Sequence, residues 1–193
     1  MKTLTKICFL LLVLLTACKK EDLGDPFPPH TEVGANTFYF RVNGTLYEAM
    51  VGYLPTSPRI GVYYSHIDTS FFKDYLFAIS AARILGEDNK TLKINIQTMP
   101  AAGSYNLGVQ LPMGESNYAY YWDVKPIEKY YYTDSDNTGV VNITKLDTVN
   151  HIIAGKFKFR AKRWLHNQVS NEVITVEGQF DVKYQPSIGV NYY

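Results

Sequence analysis

The chain has 193 residues, 46% hydrophobic and 15% aromatic, with a formal net charge of +1. Lysines and acids are interspersed along it, so there is no basic field for nucleic acid, which is excluded as a partner. Its two cysteines, Cys8 and Cys18, both lie near the start. Beyond them no disulfide, thiolate nucleophile or cysteine metal site can form.

In chain order, Lys2 and Lys6 precede an apolar run from Ile7 to Leu15, which closes on Leu15-Thr16-Ala17-Cys18. A positive start and an apolar run too short for a bilayer core of about 30 Å read as a secretory signal. A conventional signal with a chance cysteine is one reading. The other is that the end resembles the lipobox of bacterial lipoproteins, whose cysteine receives a diacylglyceryl group and becomes the first mature residue. That resemblance implies a signal peptide over residues 1–17, lipidation at Cys18, and a membrane as partner. Two or more acyl chains anchor stably where one holds only marginally. Lys19 lacks the aspartate that retains lipoproteins at the inner membrane in enteric bacteria. Lys20-Glu21-Asp22 resembles the lysine-plus-acids signal that sends some Bacteroidota lipoproteins to the cell surface. The expected location is the outer membrane, with surface exposure as a further expectation. Loss of Lys2 and Lys6 with the leader brings the mature charge near −1.

Residues 18–35 include Asp25-Pro26-Phe27-Pro28-Pro29 in place of any apolar period. They read as a lipidated cysteine followed by a flexible tether. An all-β domain is expected over residues 36–193. Phe38, Phe40 and Val42 alternate with polar neighbours, and Asn43-Gly44 is a two-residue hairpin signal that pairs Phe40 with Tyr47 and Phe38 with Ala49. Tyr75 to Ile84 is apolar on both parities, which suits a central strand or a short buried helix. Leu92, Ile94 and Ile96 alternate cleanly. Near the end, Phe157, Phe159 and Ala161 face inward, as do Ile174, Val176, Phe180, Val182 and Tyr184. Thr175, Glu177, Gln179, Asp181 and Lys183 are expected to face solvent. Pairing these two strands across a loop from Trp164 to Asn171 sets Glu177 beside Lys158 or Arg160. No window has helical periodicity. The fold class is therefore all-β, a single antiparallel β-sandwich or flattened, lipocalin-like barrel of about eight to ten strands.

Phe40-Arg41-Val42-Asn43-Gly44, Pro100-Ala101-Ala102-Gly103-Ser104-Tyr105-Asn106-Leu107, Ile153-Ala154-Gly155-Lys156-Phe157-Lys158-Phe159 and Val176-Glu177-Gly178-Gln179-Phe180-Asp181-Val182 occur in this order. Together they resemble a family of small Bacteroidota lipoproteins whose all-β domains carry a domain-of-unknown-function label. The resemblance covers about Phe38 to Tyr184 and implies an envelope lipoprotein. Its motifs are turn glycines and strand aromatics, so it brings no catalytic residues.

The conspicuous chemistry is aromatic. Tyr118, Tyr120, Tyr121, Trp122, Tyr130, Tyr131 and Tyr132 fall within fifteen residues. Rings with a polar edge make platforms for sugars, peptides or a partner surface. Equally, a hairpin bending at Pro126 would send such rings to the core. Exposure decides between the two, because consecutive tyrosines on a strand point to opposite faces. Asp134-Ser135-Asp136-Asn137-Thr138-Gly139 resembles a calcium loop but has Lys145 where a closing glutamate belongs, and reads as a polar turn. His30, His66, His151 and His166 share no ligand spacing. No metal site, cofactor motif or catalytic motif is expected. Asn43, Asn89 and Asn142 head N-x-T sequons, and Asp147-Thr148-Val149 resembles a short Bacteroidota O-glycosylation site.

Three function classes remain. The first is a lipid-anchored, non-catalytic binding or structural domain, with a glycan or an outer-membrane protein as partner. The second is a lipocalin-like carrier with a cavity lined by residues such as Phe77, Ile79 and Phe157. The third is a hydrolase acting on polysaccharide or peptide, which needs two carboxylates or a His–Ser pair converging in a cleft.

Overall fold

Asn43 and Gly44 both take positive φ, 49° and 88°, the twist that closes two strands with a two-residue turn. This hairpin joins β1 (Thr37–Val42) to β2 (Thr45–Glu48) in the expected register, Phe40 opposite Tyr47, with the Ala49 N–H donating to the Phe38 carbonyl at 2.9 Å. The computed structural model describes residues 26–49, 60–68, 73–85, 88–108, 117–165 and 168–186. Cys18 and the leader lie outside these.

Ten further strands follow: β3 (Ile60–Asp68), β4 (Lys73–Leu85), β5 (Asp88–Ile96), β6 (Gly103–Leu107), β7 (Tyr118–Asp123), β8 (Lys129–Tyr132), β9 (Gly139–Asp147), β10 (Ile152–Leu165), β11 (Gln168–Lys183) and β12 (Gln185–Pro186). There is no helix among the described residues, and Tyr75 to Ile84 lies within the long strand β4. All strands join one sheet in the order β12-β3-β4-β5-β7-β8-β10-β11-β1-β2, with β9 on β10 and β6 on β9. Every pairing is antiparallel except β12 on β3. Because β12 directly continues β11, that contact brings the end of β11 to the far side of the sheet, and the sheet curls into a half-barrel.

The inner face is apolar and contains a cluster of stacked and tilted aromatic rings. Phe38 lies 5.5 Å from Phe157 and 5.9 Å from Phe180, ring centre to ring centre, and Phe77 on β4 reaches Phe180 across the fold at 6.1 Å. Leu92, Ile94 and Ile96 are fully buried against them. Gly178 makes room for this packing, since a Cβ there would collide with the Tyr39 carbonyl and the Phe157 ring. Phe77, Ile79 and Phe157, the expected wall of a carrier cavity, are buried members of this core.

The β10–β11 pair also follows expectation, with Lys158 opposite Glu177 and an ion pair of 3.5 Å. Its loop is shorter than expected. Trp164 and Leu165 still pair with Val169 and Gln168, past a register shift between Lys162 and Trp164.

Two expectations need correction. Residues 28–35 form no strand, yet they are not a free tether, because they lie strapped across the outer face of the sheet. Gln179 and Asp181 do point outward, as alternation requires, but the strap buries both. Asp181 is 1% exposed.

Candidate functional site

The β7–β8 hairpin pairs Tyr120 with Tyr132, Tyr121 with Tyr131 and Trp122 with Tyr130. A strand alternates its faces, so the aromatic run divides. Tyr121 and Tyr131, 2% and 4% exposed, enter the core, and Tyr121 meets Phe40 at 6.4 Å. The rings of Tyr118, Tyr120, Trp122, Tyr130 and Tyr132 belong to the outer face and are half-buried. The hairpin therefore sends one parity of the run to the core and leaves the other on the outer face.

The outer rings form a ladder. Trp122 and Tyr130 are parallel to within 3° at 5.7 Å, and Tyr120 and Tyr132 lie 5.6 Å apart with a 38° tilt. Such centroid distances belong to offset rings, which leave part of each face open. The next strand, β10, pairs Lys162 with Tyr132 and Trp164 with Tyr130. Trp164, 49% exposed, sets its edge against Tyr132 at 6.0 Å. Sequence reasoning missed Trp164, which it placed at the start of a loop. The only available signal was its parity with Arg160 and Lys162 along β10.

The ladder's hydroxyls stay neutral at physiological pH. A hydrogen bond to Glu128 at 2.6 Å, ahead of all other causes, pushes Tyr130 up to about 12. Burial raises Tyr118, Tyr120 and Tyr132. The Trp122 indole N–H is buried without an acceptor.

A charged cluster flanks the inner rings of the same hairpin. The Tyr131 hydroxyl donates to Glu172 at 2.6 Å, and Arg163 and Lys129 reach the same carboxylate at 2.8 and 3.2 Å. Led by the Tyr131 hydroxyl, these contacts hold Glu172 below the usual carboxylate range. Lys90, itself buried, pairs with Asp123 at 3.2 Å. Each carboxylate is matched by cations, and Glu172 is stabilised as the anion. A general acid needs the opposite shift.

The strap makes a second feature on the outer face. Asp181 accepts the Thr31 hydroxyl at 2.6 Å and the backbone N–H groups of Val33, Gly34 and Ala35 at 3.0, 2.7 and 3.2 Å. Burial alone would raise its pKa, but these donors outweigh burial and lower it. Gln179 donates to the Pro28 carbonyl at 2.6 Å, Lys145 to the Glu32 carbonyl at 2.9 Å, and Phe27 lies under the Arg41 guanidinium at 4.3 Å. A groove of about 470 Å³ remains between Phe27, Pro28 and His30 on the strap and Lys156, Lys158 and Gln179 on the sheet.

The Asp134 segment is a turn. Its Oδ1 accepts the backbone N–H groups of Asp136 and Asn137 and the Asn137 amide. Among the described residues no three His, Cys, Asp or Glu side chains gather as metal ligands.

A protein-family model described as a domain of unknown function, DUF6252, matches residues 68–183. No curated protein and no solved structure matches the chain.

Proposed function

The chain belongs to the DUF6252 family, and from that premise we propose that it is a lipid-anchored, non-catalytic binding domain of the cell envelope. Cys18 carries the anchor and the aromatic ladder carries the binding. The observation that supports it is the ladder itself. Six aromatic side chains, Tyr118, Tyr120, Trp122, Tyr130, Tyr132 and Trp164, stand half-buried or exposed on a face that folding could have covered. Large rings bury much area at little entropy cost, which makes such a row a ready contact surface. Phe77, Ile79 and Phe157, packed as buried core members, favour this reading over a carrier, and the pairing of Asp123 and Glu172 with cations favours it over a hydrolase.

Both tryptophans of the chain, Trp122 and Trp164, lie in the ladder, so intrinsic tryptophan fluorescence reports on this site alone. Titration with glycan and protein fractions of the native envelope, with the emission of each fraction alone subtracted, is expected to shift that emission. Tyr132→Ala is expected to weaken the response without changing the melting temperature by more than a few degrees. An unresponsive emission across all fractions would remove the binding role. The anchor has its own test, fatty-acid labelling that Cys18→Ala abolishes.

A further inference from the structure

Strand register places two lysines at the ends of the ladder. Lys93 on β5 is opposite Tyr120, Tyr120 is opposite Tyr132, and Tyr132 is opposite Lys162 on β10. One line across four strands thus reads lysine, tyrosine, tyrosine, lysine. The neighbouring line reads Thr91, Trp122, Tyr130, Trp164. With strands about 4.8 Å apart, each line spans about 15 Å. Two residues along a strand are about 7 Å apart, so the two lines together cover a strip about 10 Å wide.

We infer, resting on the binding reading above, that the ladder takes an acidic glycan laid across the strands, its sugar faces on the rings and its anionic groups at Lys93 and Lys162. Size argues for a glycan over a protein. A strip of about 15 by 10 Å is far smaller than the ~800 Å² per partner of a standard protein interface. Ring chemistry agrees, because a sugar offers C–H faces to the open parts of offset rings and hydroxyls to a rim of neutral phenols. Charge sets the class. Among the described residues no acid lies within ion-pair distance of Lys93 or Lys162, and Arg160 continues the basic row of β10. Two acids do face this region. Glu128 is held by the Tyr130 hydroxyl. Asp134 feels the Lys162 charge, but its Oδ1 is committed to its own turn. Each lysine thus keeps its ammonium for a ligand, as a compact charge on a flexible stem.

The test follows tryptophan emission of the mature chain during titration with an oligogalacturonide and with a neutral galacto-oligosaccharide of equal length. The acidic sugar is expected to bind and the neutral one to bind at least about tenfold more weakly, with the difference shrinking as salt rises. Lys93→Gln and Lys162→Gln should each weaken the acidic sugar about fivefold or more while the melting temperature stays put. Tyr132→Ala should weaken both sugars. Equal binding of the two sugars would overturn the acidic assignment and leave the ladder as a binding face. Poly-glutamate binding as tightly as the oligogalacturonide would hand the site to an acidic protein segment and overturn the glycan. Lysine variants that bind like the wild type would overturn the placement. If neither sugar shifts the emission, the glycan assignment falls, whereas the binding role itself falls only if the envelope fractions fail as well.

Discussion

Over β11 the outer face of the sheet carries Gln179 and Asp181, and the chain covers it with its own residues 28–35. Over β7 and β8 the same face carries tyrosines and a tryptophan, and their rings remain partly exposed. Hydrophobicity alone would arrange the reverse, since burying rings stabilises and burying a carboxylate costs several kcal/mol unless it is fully hydrogen-bonded. Asp181 meets that condition with four donors. The contrast separates two uses of one surface. Where polar groups are buried the face serves the fold, and where rings are left out lies the face proposed above for binding.

The largest effect should come from the two parities of a single hairpin. Tyr131→Ala removes a core ring and the hydroxyl that holds Glu172, and should cost about 3–5 kcal/mol in urea unfolding. Tyr132→Ala, one residue on, should cost about 1 kcal/mol or less. Similar costs for the pair would erase the distinction between core and ladder.

Next in size is the covered patch. Asp181→Ala leaves three backbone N–H groups and a hydroxyl without their acceptor, and should cost about 2–4 kcal/mol. Limited proteolysis should then cut within residues 26–36 before the rest of the chain. An intact strap in this variant would show that other contacts hold it. The pH dependence has a definite sign. The folded pKa of Asp181 is depressed, so its contribution is present above the unfolded value of about 3.9 and is lost as pH falls through the folded one. Strap cleavage should rise below about pH 4. Asp181→Asn should flatten that part of the acid slope, leaving the share due to Asp134, Asp147 and Glu172, which are also held low.

The smallest effect lies at the exposed Lys158–Glu177 pair. Lys158→Gln should change stability by about 0.2–1 kcal/mol, less at high salt. A loss well beyond that would mean the strap groove, which Lys158 also lines, bears more of the fold's stability than its open edge suggests.

Local signals carried most of the fold. Asn43-Gly44 determined the first hairpin to the residue, and the strict alternation through Phe157 and Val176 determined which β10 and β11 side chains enter the core. The division of the aromatic run was also legible, because neighbouring tyrosines cannot share a face. Trp164 and the flanking lysines were not. Their place depends on β8 pairing with β10 and β5 with β7, contacts between segments far apart in sequence that no local pattern specifies. The strap was hidden for a different reason. It is held largely through backbone N–H and C=O groups, and every non-proline residue has both. A proline-rich segment with no apolar period reads as a linker whether it docks or not.

Docking of the strap has a mechanical consequence. If Cys18 holds the membrane, only eight residue steps separate it from Pro26, at most about 29 Å of fully extended chain. Drag on the domain then pulls on the Phe27 end of the strap, and the load falls first on the Gln179–Pro28 bond and the Arg41–Phe27 contact. The Asp181 clasp follows only after these yield. The strap would peel one contact at a time and lengthen the leash while the sheet behind it stays folded. With Cys18 anchored, it would act as a strain relief at the point where the cable meets the body.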